Sequence, residues 1–362
     1  MITARNSAHY LRGFLLGLGL TGLLAFAFNC LIDPLWFFGG NHLQAKNFTF
    51  NERISKSVWL DRNQQNFDCL ILGSSRTTLI DVRDIPMYRC FNYSVGGGSL
   101  ADSLHLARFA GQKITSLTTV FVSVDDFNWI RSSALDLSKP SPFSQDIQAK
   151  LSPFKHYFGL SALGMSVRTL LDSSPTPRFY ARDFSIQVRA DAPRLADGKP
   201  REALAVPHLS DAQIKKNVSV VSEAIRGIRA IFPRCRLVGF APFTSAGIIT
   251  ANVDKIGVDR YMEAQSLIAS SFDDFYDFSI VSNVTTDPSS TYDGSHFFPN
   301  VNAVLIRQMV LQEESDISMR INTETRLTPD FFSRYRARLT GMPVQLVPPV
   351  SQDDRAMRPY NR

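Results

Sequence analysis

Cysteine, tryptophan and net charge are all scarce in this sequence of 362 residues, which contains four Cys and three Trp. So few cysteines in so long a chain exclude a small disulfide-rich scaffold. Hydrophobic residues make up 44% and charged residues 20%, which excludes both a disordered chain and a protein with many membrane spans. The 39 Lys and Arg only slightly exceed the 33 Asp and Glu and form no stripe interleaved with aromatic residues, so nucleic acid is not an expected partner. No cluster of His, Cys and Asp has metal-ligand spacing, and neither a metal nor another cofactor is expected.

One long uncharged segment is present, over residues 13–32. Its length, at about 1.5 Å per residue, corresponds to about 30 Å, the thickness of the hydrocarbon core of a bilayer. Arg5 and Arg12 precede the segment and Asp33 follows it. Because positive charge stays on the cytoplasmic side, residues 1–12 are predicted to be cytoplasmic. The segment is then a single transmembrane anchor, and the chain after it is exported.

Two other interpretations of this segment stay open. Ala25-Phe26-Ala27 resembles the small-residue cleavage site of a secretory signal peptide. A lipoprotein modified at Cys30 is the weaker alternative, because Asn29 is a poor residue directly before a lipidated cysteine. The apolar run continues through residues 31 and 32, which favours an uncleaved anchor.

Export would allow disulfides to form, and two of the four cysteines have similar surroundings. Cys69 and Cys90 each open an apolar, strand-like segment that is followed by a Ser- or Gly-containing turn. If the two strands are parallel neighbours, the two sulfurs can form a bond. Two buried free thiols are an equally good interpretation of the pattern.

Strand-like and helical segments alternate over most of the chain, which predicts an α/β fold with a mostly parallel five-stranded sheet covered on both faces. A connecting segment over 33–66 precedes this domain at 67–312, and a tail over 313–362 follows it. Residues 130–209 are broken by prolines and are interpreted as an insertion that covers a cleft. The predicted strands cover 68–72, 90–95, 117–124, 237–241 and 275–280. The predicted helices cover 99–113, 160–171, 211–232, 260–272, 300–312 and 331–339.

Ser75, Asp293 and His296 are the candidate catalytic residues. Ser75 lies on a Gly-Ser-Ser turn at the carboxyl end of a predicted strand, where functional groups gather in parallel sheets. A serine hydroxyl needs a base within hydrogen-bond reach to act as a nucleophile, and His296 can supply that base. Asp293, three residues earlier in a loop of turn-forming residues, can hold the other ring nitrogen.

The Gly-Ser-Ser-Arg turn at 73–76, the glycines at 96–98 and the Asp-Gly-Ser-His segment at 293–296 together resemble the sequence blocks of the SGNH (GDSL-like) hydrolase superfamily. The resemblance covers residues 67–312 and implies a flavodoxin-like three-layer α/β domain. With its single anchor, the chain is most similar to membrane-anchored SGNH proteins of bacterial polysaccharide O-acetylation and D-alanylation systems. That similarity implies a bacterial inner-membrane protein with a periplasmic main domain. It also implies two partners, a membrane-bound O-acyltransferase and a polysaccharide substrate.

The same resemblance assigns roles to individual residues. Ser75 takes the nucleophile position, and its backbone together with Gly97 or a neighbouring glycine supplies oxyanion donors. The family's third block usually carries an Asn at the oxyanion hole, whereas this chain has Asp125 and Asp126 there. Asn128 is the candidate replacement, and loss of such a donor typically lowers kcat by about 10²–10³.

Arg76 directly follows the nucleophile position and is a candidate contact for an anionic substrate. Arg53 and Lys56 in the connecting segment are further candidates. For all three residues the alternative is an ordinary solvated or ion-paired side chain.

The sequence therefore predicts an exported, membrane-anchored serine acyltransferase or esterase acting on O-acyl groups, chiefly O-acetyl, of a cell-surface polysaccharide. The insertion over 130–209 is its candidate lid. Two alternatives remain: a plain exported esterase, and a non-catalytic assembly or glycan-binding protein with a degenerate SGNH fold.

Overall fold

The computed structural model describes residues 4–44, 46–130, 147–174, 176–190, 192, 209–313, 315–322 and 328–341. Parts of the predicted insertion (131–146 and 193–208) and most of the predicted tail (342–362) lie outside the described residues.

The predicted anchor forms one helix, α1 (Ala4–Ile32). Its stretch His9–Ile32 is long and apolar enough to cross a membrane. Most side chains of this stretch are exposed, which distinguishes it from the core helix of a soluble domain.

Within the described residues, nine strands form two sheets. They are β1 (Asn47–Phe48), β2 (Cys69–Leu72), β3 (Cys90–Asn92), β4 (Thr119–Ser123), β5 (Arg178–Tyr180), β6 (Ile186–Val188), β7 (Arg236–Ala241), β8 (Asp274–Asp277) and β9 (Met319–Ile321). The main sheet has the order β3-β2-β4-β7-β8-β9, with five parallel strands and β9 antiparallel to β8. Its five parallel strands therefore follow the order 2-1-3-4-5 of doubly wound, flavodoxin-like sheets.

The helices after α1 are α2 (Glu52–Asn63), α3 (Leu100–Lys113), α4 (Phe127–Ile130), α5 (Ile147–Lys150), α6 (Pro153–Tyr157), α7 (Leu160–Leu170), α8 (Asp211–Ile231), α9 (Ala246–Ile256), α10 (Val258–Ala269), α11 (Asn283–Thr286), α12 (Pro299–Leu311) and α13 (Pro329–Thr340). Ser99 and Ser210 open α3 and α8 with the capping boxes that the sequence pattern indicates.

Alternate side chains of each strand enter different cores, which gives the domain three layers. Leu70 and Leu72 of β2 face a core shared with α3, α8, α10 and α13. Ile71, between them, faces a second core completed by Leu305 and Met309 of α12. Both faces of the main sheet are thus covered by helices, as the sequence pattern predicts.

Several elements differ from the sequence-based prediction. The main sheet has six strands rather than five, because β9, in the segment assigned to the tail, pairs with β8. α13 of the same segment contributes Phe331, Tyr335 and Leu339 to the larger core. Two helices were not predicted: α2 in the connecting segment and α9 after β7.

A second, antiparallel sheet of order β1-β5-β6 was not predicted. It joins the connecting segment to the insertion. Its strands have only two or three residues each, too few for an alternating pattern to show in the sequence.

Cys69 and Cys90 are opposite each other in the register of β2 and β3, and they form a disulfide. Cys30 and Cys235 are free. Of the two interpretations of the cysteine pattern, the structure therefore has the bonded pair.

Candidate active site

The polar motifs gather at the carboxyl edge of the main sheet. Ser75 follows β2, Gly97 follows β3 and Asp126 follows β4. Thr244 follows β7, and the loop with His296 follows β8 and precedes α12. Since parallel strands end at the same edge, residues that are distant in sequence meet there.

The turn that carries Ser75 is held by close packing. A Cβ atom at Gly73 would lie 2.6 Å from Thr77 Oγ1 and 2.7 Å from Ser123 Cβ, so only glycine fits at the end of β2. Thr77 and Thr78 then donate their backbone N–H groups to the carbonyl of Ser74. Ser75 itself remains half-buried, with its side chain at the sheet edge.

Ser75, His296 and Asp293 form one hydrogen-bonded chain. His296 Nε2 lies 2.8 Å from Ser75 Oγ, and His296 Nδ1 lies 2.8 Å from Asp293 Oδ2. Serine and histidine are separated by 221 positions in the sequence. The geometry is that of a base within reach of a nucleophile and a carboxylate that orients the base.

The loop between residues 291 and 297 fixes the imidazole. Asp293 Oδ1 accepts the backbone N–H groups of Ser295 and His296, at 2.9 and 2.8 Å. Burial by itself raises the pKa of Asp293, but the hydrogen bond and charge of His296, together with these backbone donors, hold it below its ordinary value. Asp293 is therefore kept as a carboxylate that can stabilise an imidazolium.

Two of the predicted oxyanion donors have backbone N–H groups without a protein acceptor. Among the described residues, the N–H groups of Ser75 and Gly97 donate to no protein acceptor. Gly97 has φ +62°, a conformation that favours glycine. The N–H of the neighbouring Gly96 is already bonded to the carboxylate of Glu52. Of the glycines at 96–98, Gly97 thus has the free N–H.

Asn128 lies in α4 and is buried, and its Oδ1 has no hydrogen-bond partner among the described residues. No described contact joins this side chain to Ser75, so the predicted oxyanion role of Asn128 stays a prediction.

The two aspartates that replace the expected Asn both lie beside Arg76, whose single positive charge offsets one of the two carboxylates. Arg76 Nη1 lies 2.8 Å from Asp126 Oδ1 and 3.5 Å from Asp125 Oδ1. Asp125 Oδ2 also accepts from Ser123 Oγ, and Asp126 Oδ2 accepts from Asn252 Nδ2. Three of the four carboxylate oxygens therefore accept hydrogen bonds from protein groups, which reduces the repulsion that an oxyanion would meet.

Arg76 also joins separate parts of the site. Its Nε donates to Ser295 Oγ at 2.9 Å, in the loop with His296, and its Nη1 donates to Thr244 Oγ1 at 3.0 Å. The side chain is only 9% exposed. These bonds favour a positioning role for Arg76 over the predicted substrate contact.

Sequence reasoning missed a buried ionic cluster beside the nucleophile, formed by Glu52, Lys56, Arg178 and Tyr180. Tyr180 donates to Glu52 Oε1 at 2.7 Å, and Arg178 Nη2 lies 3.6 Å from Glu52 Oε2. Lys56 Nζ donates to the carbonyl of Ser94 at 2.7 Å, and burial lowers the Lys56 pKa to about 7. Lys56 is thus a buried, bonded side chain rather than a free contact for an anion.

Arg178 connects this cluster to the nucleophile and to the base. Its Nη1 donates to the carbonyl of Ser75 at 3.4 Å, and its positive charge interacts electrostatically with Tyr292, whose ring stacks on His296. Arg53, another predicted anion contact, instead donates to the carbonyls of Gly96 and Gly97 and pairs with Asp102. No local pattern could reveal these roles, since the partners lie at least 43 positions apart.

Within the described part of the chain, no group of three or more His, Cys, Asp or Glu side chains is arranged to hold a metal ion.

Comparisons with known proteins give one structural neighbour and no relative by sequence. No protein-family model matches the chain, and a search of curated proteins finds no match. Among solved structures, the fold is similar to that of a protein from Streptococcus pneumonia described as "a putative platelet activating factor". The two share 8% sequence identity at a TM-score of 0.40, over 73% of this chain and 92% of the other. The structure is therefore that of a mixed α/β domain with a mostly parallel sheet, preceded by an N-terminal apolar helix.

Proposed function

We propose that this protein is a membrane-anchored SGNH-type serine acyltransferase or esterase that acts on O-acyl groups, chiefly O-acetyl, of a cell-surface polysaccharide. The observation that carries the proposal is the hydrogen-bonded chain from Ser75 through His296 to Asp293. Its placement at the carboxyl edge of a sheet with the 2-1-3-4-5 order supports the resemblance of the three sequence blocks.

The proposed reaction follows from the positions of these atoms. Ser75 Oγ attacks the acyl carbonyl while His296 Nε2 takes the hydroxyl proton, and Asp293 stabilises the resulting imidazolium. The N–H groups of Ser75 and Gly97 are the donors for the tetrahedral oxyanion. His296 returns the proton to the departing alcohol oxygen, which leaves an acyl ester on Ser75. A sugar hydroxyl or water, deprotonated by His296, then attacks that ester and releases Ser75.

The proposed location is the bacterial inner membrane, with α1 as a single-pass anchor, residues 1–12 cytoplasmic and the main domain in the periplasm. The apolar α1, the basic residues Arg5 and Arg12 before it and the Cys69–Cys90 disulfide support this arrangement. In that location a membrane-bound O-acyltransferase is the proposed acyl donor and a polysaccharide the proposed acceptor.

The test is turnover of a chromogenic acetyl ester by the full chain in detergent, compared between wild type and Ser75→Ala. We expect Ser75→Ala to lose activity, while the matched variant Ser270→Ala, remote from the site at the end of α10, keeps it. A fluorophosphonate probe should label the wild type and Ser270→Ala but not Ser75→Ala. Equal turnover by wild type and Ser75→Ala would remove Ser75 from the mechanism.

An added oligosaccharide separates transfer from hydrolysis. A transferase should move the acetyl group to the sugar, as detected by mass spectrometry. Release of acetate alone at full rate would favour the plain esterase.

A further inference from the structure

The helix pair α6 and α7 packs along the last turns of α1. The rings of Phe154 and Phe158 stack on Phe26 of α1, with ring centroids 5.5 and 4.4 Å away. Asn29 of α1 is fully buried, where it donates to the carbonyl of Tyr157 and accepts from Ser166 Oγ, at 2.8 and 2.7 Å. The apolar helix is therefore fixed to the exported domain, not joined to it by a flexible linker.

The packing on α1 lies within the uncharged run. Phe26 precedes Ile32, the last residue of α1, by six positions, which corresponds to about 9 Å along the helix axis. If α1 crosses the bilayer over residues 13–32, Phe154 and Phe158 reach the depth of the acyl chains at that end of the helix.

The polarity of α7 is the reverse of that expected for a helix of a soluble domain. Its buried face consists of small or hydroxyl side chains: Ala162, Ser166 and Thr169. Its outward face carries large apolar side chains, with Leu160 85% and Leu171, directly after the helix, 73% exposed. Val167, between them in helical spacing, is also exposed. Small residues against protein and large apolar residues outward are typical of helices that face lipid.

The charges on this segment are of one sign. Between Leu151 and Leu171 the sequence contains Lys155 and Arg168 but no Asp or Glu. Basic side chains at the edge of an apolar helical face fit the anionic headgroups of a bilayer surface.

We propose that Phe154, Phe158, Leu160, Val167 and Leu171, here termed the α6–α7 apolar surface, are inserted into the bilayer leaflet at the carboxyl end of α1. The proposal rests on the proposed anchor. It adds a second membrane attachment, and the bonds of Asn29 to Tyr157 and Ser166 then hold the catalytic domain at a fixed height and orientation above the membrane.

The test places a tryptophan on the α6–α7 apolar surface of the full chain reconstituted in lipid nanodiscs. Leu160→Trp and Leu171→Trp are compared with Leu267→Trp, a matched exposed leucine on α10, which packs on α8 and α13. Lipids brominated in the upper acyl chain quench nearby tryptophan. The signal of the native tryptophans is subtracted with the wild type, and unchanged circular dichroism confirms that each variant is folded.

We expect the added tryptophan of Leu160→Trp and Leu171→Trp to lose most of its emission in brominated nanodiscs, and that of Leu267→Trp to lose none. If the protein co-elutes with nanodiscs but neither tryptophan is quenched, the α6–α7 apolar surface is not inserted in the bilayer, and the proposed anchor α1 is unaffected. Failure to co-elute with nanodiscs would contradict both the proposed anchor and the proposed insertion of the α6–α7 apolar surface. If these positions become shielded only when a membrane-bound acyltransferase is co-reconstituted, the surface contacts protein and the lipid proposal is wrong.

Discussion

The phenol ring of Tyr292 lies parallel to the imidazole of His296, with an interplanar angle of 2° and centroids 5.3 Å apart. Tyr292 also interacts electrostatically with Arg178, whose guanidinium donates to the carbonyl of Ser75. Ser75 and His296 are thus connected in two ways. One is their own hydrogen bond, and the other runs through Arg178 of the buried ionic cluster and Tyr292. This second link explains why a residue of the insertion belongs to the site.

Replacement of Arg178 by methionine tests that link. Arg178→Met removes the guanidinium paired with the buried Glu52, which is expected to cost about 3–5 kcal/mol of stability. Loss of the hydrogen bond to Ser75 and of the positive charge beside Tyr292 should also lower kcat, by about 10–100-fold, with a smaller change in KM, because the reacting groups are misplaced. Thermal unfolding and ester turnover measure the two effects.

The double variant Arg178→Met with Glu52→Gln separates stability from positioning. It also removes the negative charge of Glu52, so we expect the unfolding midpoint to recover while kcat stays low. Recovery of kcat together with stability would show that Arg178 acts only on the fold.

Asp293→Asn tests the orientation of the base. The amide presents an N–H group where His296 needs an acceptor, so kcat is expected to fall by about 10²–10⁴ while the domain stays folded. Asp287→Asn is the matched control, since Asp287 lies in the same loop and bonds only to Ser289 and Ser290 among the described residues. Turnover of Asp293→Asn at the control rate would contradict the assigned role.

Gly73→Ala tests the packing below the nucleophile. The new methyl group collides with Thr77 and Ser123, which is expected to cost about 1–3 kcal/mol and to displace Ser75, with loss of ester turnover. The control is Gly164→Ala on the exposed side of α7, where no atom lies within 4 Å of the new Cβ. That variant should be unchanged or slightly more stable, since alanine favours a helix. Similar unfolding midpoints for the two variants would show that the turn can relax.

Asp277 should make stability depend on pH. Burial raises its pKa to about 6 from the ordinary 3.8, against the hydrogen bonds from Tyr335 and Ser279, which lower it. The native state therefore binds more protons than the unfolded state between about pH 4 and 6, and Asp277 lowers stability as pH rises through this interval. Relative to Asp277→Asn, the wild type should lose stability from pH 4 to 6 and show no further loss above pH 7.

The measurement is the unfolding midpoint of both proteins across this pH range. Asp287→Asn gives the opposite control, because hydrogen bonds from Ser289 and Ser290 lower the pKa of Asp287. Its contribution to stability is lost only as pH falls toward and below 3.8. A difference between wild type and Asp277→Asn that stays constant with pH would show that Asp277 titrates normally.

Local sequence was sufficient for the elements that carry the triad. The buried strand before Ser75, the capping boxes of α3 and α8, and the Asp293–His296 spacing each depend on residues a few positions apart. The sixth strand and the small second sheet could not be recognised, because strands of two or three residues carry too little periodicity. α2 was missed because its buried face includes polar and charged side chains such as Glu52 and Lys56, so no apolar stripe marks it.

By itself the sequence determined the apolar helix, the alternation of strands and helices, and the chemistry available at each turn, since all three depend on local side-chain pattern. Only the tertiary structure decided that Ser75 meets His296 across 221 positions and that Cys69 bonds to Cys90. It also decided that Arg76, Arg53 and Lys56, the candidate contacts for an anionic substrate, are bonded to protein groups. The physical reason is that these contacts arise where strands end at a shared edge, and the order of strands in a sheet is set by packing between helices and strands far apart in the chain.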